Sequence, residues 1–267
     1  MNINKMLPSD TFKDKTVLVT GGGTGLGKSI GKHILELGGQ LIITSRRNEV
    51  IEKTANEFND LYPDSTLHVA GDVRNIEDVE NVINKGFEKF GSVDMLINNA
   101  AGNFISPTER LSANAFSVVI DIVLKGTCNY TLTLGKKWIN DKTEGTILNI
   151  ATTYAMTGSG YVIPSAAAKG GVLTFTRSIA AEWAKYNIRC NAVAPGPFPT
   201  EGAWSRLVPP GFSKFMDIKK RIPLKRVGEH QELANLCAYL LSDYSAYITG
   251  EIITIDGGEW IYNAGQF

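Results

Sequence analysis

The chain has 267 residues, 43% of them hydrophobic and 20% charged, with 27 Lys and Arg against 27 Asp and Glu. That balance excludes a disordered chain, and no run nears the roughly 18 apolar residues of a membrane span, so none is expected. A formal charge of zero removes the broad basic surface on which non-specific nucleic-acid binding depends. Cys128, Cys190 and Cys237 lie far apart in apolar surroundings and form neither a disulfide framework nor a zinc pair. With no export or transit pattern near Met1, the expected location is cytoplasmic.

Residues 16–20 read Thr-Val-Leu-Val-Thr, a β-branched run ending in glycines and expected as a buried strand. Apolar residues at helical spacing predict a helix over 29–37, stopped by Gly38-Gly39. The alternation continues with strands at 41–44, 66–70 and 93–98 and helices at 48–61 and 76–90. One long helix is expected over 114–139. A fifth strand at 146–150, a helix at 165–185 and a sixth strand at 188–194 follow, then a helix at 229–241 and a seventh strand at 251–255. Short apolar strands alternating with amphipathic helices predict an α/β fold, a doubly wound seven-stranded parallel sheet in one domain. Residues 195–223 break the pattern, with six prolines and the aromatics Phe198, Trp204, Phe212 and Phe215. A stretch this long without periodicity is read as a lid over a cleft.

The segment Thr20-Gly21-Gly22-Gly23-Thr24-Gly25-Leu26-Gly27 joins the first strand to the first helix. Glycines there let backbone approach a pyrophosphate, and the helix N-terminus supplies oriented N–H groups. Gly21, Gly23, Thr24, Gly25, Leu26 and Gly27 are therefore expected to hold a dinucleotide. A carboxylate at the end of the second strand would repel a 2′-phosphate. This chain has Thr44-Ser45-Arg46-Arg47 instead, so Ser45 and Arg46 point to NADPH. Asp72, Val73, Asn99 and Ala100 follow the third and fourth strands, where ligands of open α/β sheets gather. His33, His68 and His230 are too dispersed for a metal cluster and are expected to be structural or solvent-facing.

Together with Lys169 and the Pro195-Gly196-Pro197 turn, TGGGTGLG and Asn98-Asn99-Ala100-Ala101-Gly102 make the chain resemble the short-chain dehydrogenase/reductases over nearly all its length. The resemblance implies a Rossmann fold with Pro195, Gly196 and Lys169 also at the cofactor. The usual Tyr-x-x-x-Lys pair of that family falls on Ser165 and Lys169, so the tyrosine is absent. The usual serine and helix asparagine fall on Thr152 and Val123. These departures fit one subfamily, the 2,4-dienoyl-CoA reductases, which the chain resembles in the stretches NNAAGNFISPTERL (98–111), DIVLKGT (121–127), TYAMTGSGYVIPSAAAK (153–169) and EGAWSRL (201–207).

That resemblance implies a catalytic set of Asn103, Tyr154, Ser165 and Lys169, acyl-CoA contacts at Arg74, Phe104, Ser112 and Arg206, and a homotetramer built on the long helices. The chemistry suits the residue types. Hydride addition to the far end of a dienoyl thioester sends charge to the thioester oxygen, and neutral donors such as an amide and a phenol stabilise it. Other readings stay open. A carbonyl or 3-oxoacyl thioester reductase survives if Tyr154 reaches the place of the absent tyrosine. A catalytically silent NADPH-binding protein is motivated by the missing signature. Ser165, after Pro164, also reads as a helix N-cap, and Arg74 and Arg206 as solvated loop cations.

Overall fold

The computed structural model describes residues 6–200 and 218–262. Its strands are β1 (Thr16–Thr20), β2 (Gln40–Ser45), β3 (Thr66–Ala70), β4 (Met95–Asn98), β5 (Gly145–Ile150), β6 (Ile188–Pro195) and β7 (Ile252–Ile255). They pair in parallel in the order β3-β2-β1-β4-β5-β6-β7. The order reverses between β1 and β4, and the carboxyl ends of the strands flanking that switch point open a crevice. This is the doubly wound sheet that the sequence predicts.

Helices α1 (Gly25–Glu36), α2 (Asn48–Leu61) and α3 (Ile76–Phe90) follow the first three strands. Alternate residues of each strand feed opposite cores, because side chains of a strand alternate between faces. Val17, Val19, Leu41 and Ile43 pack with Ile30 and Ile34 of α1 and Ile51 and Phe58 of α2. Leu18 and Ile42 face the other way, toward Val79, Val82 and Ile83 of α3. With both faces covered, the strands read as continuous apolar runs rather than alternating ones.

The expected long helix over 114–139 is interrupted. It consists of α4 (Ala113–Ile120), a π-helical turn at Asp121–Lys125 and α5 (Gly126–Asp141). Val123, at the centre of that turn, is fully buried, and its carbonyl accepts from Thr127 Oγ1 at 2.7 Å. Tyr130, Leu134 and Trp138 carry α5 into the second core. A single helical turn, α6 (Tyr154–Thr157), precedes α7 (Ile163–Trp183). The last described helices are α8 (Ile218–Arg221) and α9 (His230–Leu241), the latter opened by a reciprocal capping box between Glu229 and Glu232.

Of the expected lid, residues 195–200 and 218–223 belong to the described structure. Arg206, Trp204, Phe212 and Phe215 lie outside the described residues. Among the described residues, no helix is long and apolar enough to cross a membrane.

Candidate active site

The glycine loop turns sharply out of β1. Gly21 and Gly25 have φ of +68° and +54°, a region that side-chain-bearing residues enter at a cost. A Cβ on Gly27 would lie 2.5 Å from both Gly21 O and Asn99 Nδ2, so that position is closed to anything larger. The end of β4 holds the loop in place. Asn99 Nδ2 donates to Thr20 O (2.9 Å) and Gly21 O (3.1 Å), while Thr20 Oγ1 accepts from Asn99 N and Ala100 N, each at 3.0 Å.

Thr24 precedes α1 in extended conformation without a side-chain cap, and no acidic residue lies in the first turn. The helix therefore offers open N–H groups and positive potential to an anion. This backbone cradle fits a pyrophosphate. Thr20, whose hydroxyl joins the two loops, is a positioning residue that motif reading passed over; its partners lie 79 and 80 residues away.

At the end of β2, Arg46 is exposed, and the Ser45 hydroxyl accepts from Arg47 N at 3.3 Å. Asp72 lies across from them after β3. The Arg74 guanidinium grips it through Nε (3.0 and 3.1 Å) and Nη2 (2.5 Å). That hydrogen-bonded pairing holds the Asp72 carboxyl below its usual range, with Arg46 adding a smaller pull. Arg74, expected from the resemblance as an acyl-CoA contact, has its Nε and Nη2 engaged by Asp72. Val73 is buried, and its carbonyl accepts from Asn129 Nδ2 of α5 at 2.9 Å.

The four expected catalytic residues converge from three elements. Asn103 follows β4, Tyr154 opens α6 beyond β5, and Ser165 and Lys169 sit one turn apart on the same face of α7. Asn103 Oδ1 accepts from Phe104 N at 2.9 Å, which leaves its amide nitrogen directed at Tyr154 Oη, 3.3 Å away. Tyr154 Oη lies 3.0 Å from Ser165 Oγ. Ser165 and Lys169 are buried, at 3% and 6% exposure.

Lys169 Nζ donates to the carbonyl of Ile150, the last residue of β5. Burial disfavours its charged form and lowers its pKa to about 8. Because α7 begins at Ile163, with Pro164 in its first turn, Ser165 is not the N-cap. Its hydroxyl is left to serve Tyr154.

Phe104 packs against a cluster of Val119, Val123, Ala168 and Val172, which braces α7 against the π-helical turn. Hydrocarbon thus fills the place of the family's usual helix asparagine. Ser112, an expected substrate contact, also caps α4, its Oγ accepting from Ala115 N at 3.1 Å. Gly196 donates to Ile255 O at 3.0 Å, and a Cβ there would lie 2.5 Å from Asp256 Cβ. The Pro195-Gly196 turn therefore sits tightly against the end of β7.

Residues 21–259 match the family model described as enoyl-(acyl carrier protein) reductase. A probable 2,4-dienoyl-CoA reductase of Caenorhabditis elegans, named as producing (3E)-enoyl-CoA, is 44% identical over 98% of this chain and 85% of its own. A probable 2,4-dienoyl-CoA reductase of Bacillus subtilis, named as producing (2E)-enoyl-CoA, is 42% identical over 94% of this chain and 98% of its own. The crystal structure of a short chain dehydrogenase from Bacillus anthracis superimposes with a TM-score of 0.86 at 41% identity, covering 95% of this chain and 98% of that one. With the parallel sheet, the glycine cradle and the matched length in agreement, the chain belongs to the short-chain dehydrogenase/reductase family, in the branch that the enoyl reductase model describes.

Proposed function

We propose that this protein is an NADPH-dependent reductase of 2,4-dienoyl-CoA thioesters, giving 3-enoyl-CoA in unsaturated fatty-acid breakdown. The observation that carries the reading is the hydrogen-bonded series Asn103–Tyr154–Ser165 beside buried Lys169. The dinucleotide supplies the hydride. Gly21, Gly23, Thr24, Gly25, Leu26 and Gly27 take its pyrophosphate, and Ser45 and Arg46 its 2′-phosphate. Asp72, Val73, Asn99, Ala100, Pro195 and Gly196 border it.

Asn103 Nδ2 and Tyr154 Oη are the donors for the thioester oxygen, where negative charge collects as the conjugated system is reduced. Neutral donors fixed in advance stabilise that charge without reorganising during the reaction. Ser165 holds the phenol in place. Lys169 adds positive potential from behind and a donor for the nicotinamide ribose. Protonation at the inner carbon by bound water then gives the 3-enoyl product; Tyr154 is the alternative donor. The two relatives carry names with different products, so the double-bond position is read from NMR of the purified product.

Consumption of NADPH with 2,4-hexadienoyl-CoA and not with acetoacetyl-CoA is the expected result. One observation favours a second reading: Tyr154 Oη stands 3.0 Å from the side chain that replaces the family's usual tyrosine. A phenol so placed suits carbonyl reduction, and turnover of acetoacetyl-CoA alone selects that reading. Binding of NADPH without turnover of either thioester selects a silent module. The single-domain organisation, the cytoplasmic setting and a homotetramer through the helices near 114–139 (α4 and α5) and 165–185 (α7) complete the proposal; light scattering measures the last.

A further inference from the structure

A histidine outside the reacting centre ties together three segments that are remote in sequence. Residues 197–200 leave the end of β6 and run back over the glycine loop, and three contacts set their path. Gly228 N donates to Pro197 O at 3.0 Å. The Phe198 ring packs on Gly228, where a Cβ would come within 2.3 Å of it. His230 Nε2 lies 2.7 Å from Pro199 O. The next residue, Thr200, then puts Cγ2 3.2 Å from the Cβ position of Gly25, in the cradle itself. On its other side, His230 Nδ1 lies 2.9 Å from Ser29 Oγ, which donates to Gly25 O at 3.1 Å.

Counting protons discriminates between the forms of the ring. Pro199 O only accepts, so Nε2 carries a hydrogen. Ser29 has one hydroxyl proton. While that proton goes to Gly25 O, Nδ1 must donate as well, which makes the ring an imidazolium. A neutral ring instead draws the serine proton to Nδ1 and leaves Gly25 O without it. Only the charged form completes all three bonds.

The neighbouring charges are largely engaged elsewhere. On its own helix and the preceding turn stand Glu229 and Glu232, the latter bound by Arg226. On α1, Lys28 pairs with Glu57, and Lys32 and His33 both meet Glu36. Residues 197–200 carry no charge.

We propose that His230 is a positioning residue for the dinucleotide: protonated, it clamps residues 199–200 onto Gly25 and forms one wall of the pyrophosphate site. The proposal rests on the dinucleotide reading above. An anion bound at that wall favours the imidazolium, so by linkage protonation of His230 tightens cofactor binding.

Fluorescence titration of the full chain with NADPH at pH 6 and pH 8.5 tests this. At pH 6, His230→Ala weakens binding roughly tenfold, the scale of one lost hydrogen bond, and the gap from wild type narrows at pH 8.5. His230→Gln, whose amide reaches as far as Nε2, recovers most of the affinity and shows the same pH dependence as His230→Ala. Turnover at saturating NADPH stays within about twofold throughout. Equal affinities of wild type and His230→Ala at both pH values overturn the proposal. If His230→Ala does not fold, Ser29→Ala decides. Loss of the wild-type excess at pH 6 supports the clamp, and an unchanged pH dependence overturns it. Failure of wild type to bind NADPH at either pH overturns the dinucleotide reading and the clamp with it.

Discussion

Asn103 and Tyr154 are 51 residues apart in the chain, yet the amide nitrogen of one stands 3.3 Å from the phenol oxygen of the other. The loop after β4 and the turn after β5 bring them together because β4 and β5 are neighbours in register, with Asn98 opposite Asn149. Beneath the pair, Asn98 Nδ2 donates to Asn149 Oδ1 at 2.9 Å, and Asn149 Nδ2 to Thr176 Oγ1 of α7 at 2.8 Å. This buried ladder links both loops to the helix that carries Ser165 and Lys169. A polar network in a dry interior is held to one geometry, since breaking any member strands its partner.

Removing either donor should lower kcat for 2,4-hexadienoyl-CoA by about a hundredfold or more, the usual scale for one oxyanion donor. Asn103→Ala and Tyr154→Phe are the test variants, with NADPH affinity measured beside turnover. The double variant should lose less than the product of the two single losses, because both groups serve one oxygen. Full kcat in Tyr154→Phe would remove the phenol from the mechanism.

Lys169 makes the cofactor-free protein's stability pH-dependent. An unfolded lysine keeps its proton to about pH 10.4, whereas the buried one releases it near 8. Between those values the unfolded chain binds more protons, so stability from this group rises with pH. Below pH 8 both states are protonated, and the full cost of burying the charge is present. The rise should amount to about 3 kcal/mol across that window. Urea unfolding from pH 7 to 10 should show a smaller increase for Lys169→Met than for wild type; parallel profiles would contradict the assignment.

Arg46 is the expected source of cofactor discrimination. A hydrogen bond to a charged group contributes about 2 kcal/mol, so Arg46→Ala should weaken NADPH binding roughly thirtyfold while changing NADH binding little. Calorimetric titration with both nucleotides separates the outcomes. Equal losses for the two would place Arg46 away from the 2′-phosphate.

Gly27→Ala tests the cradle. The new methyl would meet backbone at Gly21 O, 2.5 Å away, rather than the flexible end of a side chain. Overpacking of this kind costs about 1–3 kcal/mol, and the displaced loop should lose at least tenfold in NADPH affinity. Thermal melting and titration together check both effects, and unchanged values in both would show that the loop yields.

Much of this was readable from local pattern. Strands β1 and β3 and helices α2 and α3 begin and end where composition and caps predict, because strand and helix periods act over a few residues. The break at Asp121–Lys125 was not readable, since apolar residues continue through it at helical spacing. Likewise, the capping role of Ser112 at the start of α4 was not read from its neighbours. The engagement of Arg74 by Asp72, two residues away, is a pairing that residue type and spacing do not by themselves specify.

By itself the sequence determined the parallel sheet and the dinucleotide loop, since each is written in short stretches of residue type and spacing, whereas the expected catalytic set came from the family resemblance. Only the tertiary structure decided that Tyr154 reaches Ser165, that Lys169 is buried against Ile150, and that His230 joins Ser29 to Pro199 across 201 and 31 residues. Those relations depend on which strands lie side by side and on how closely helices pack over them. That is a property of the whole fold and is invisible to any local window.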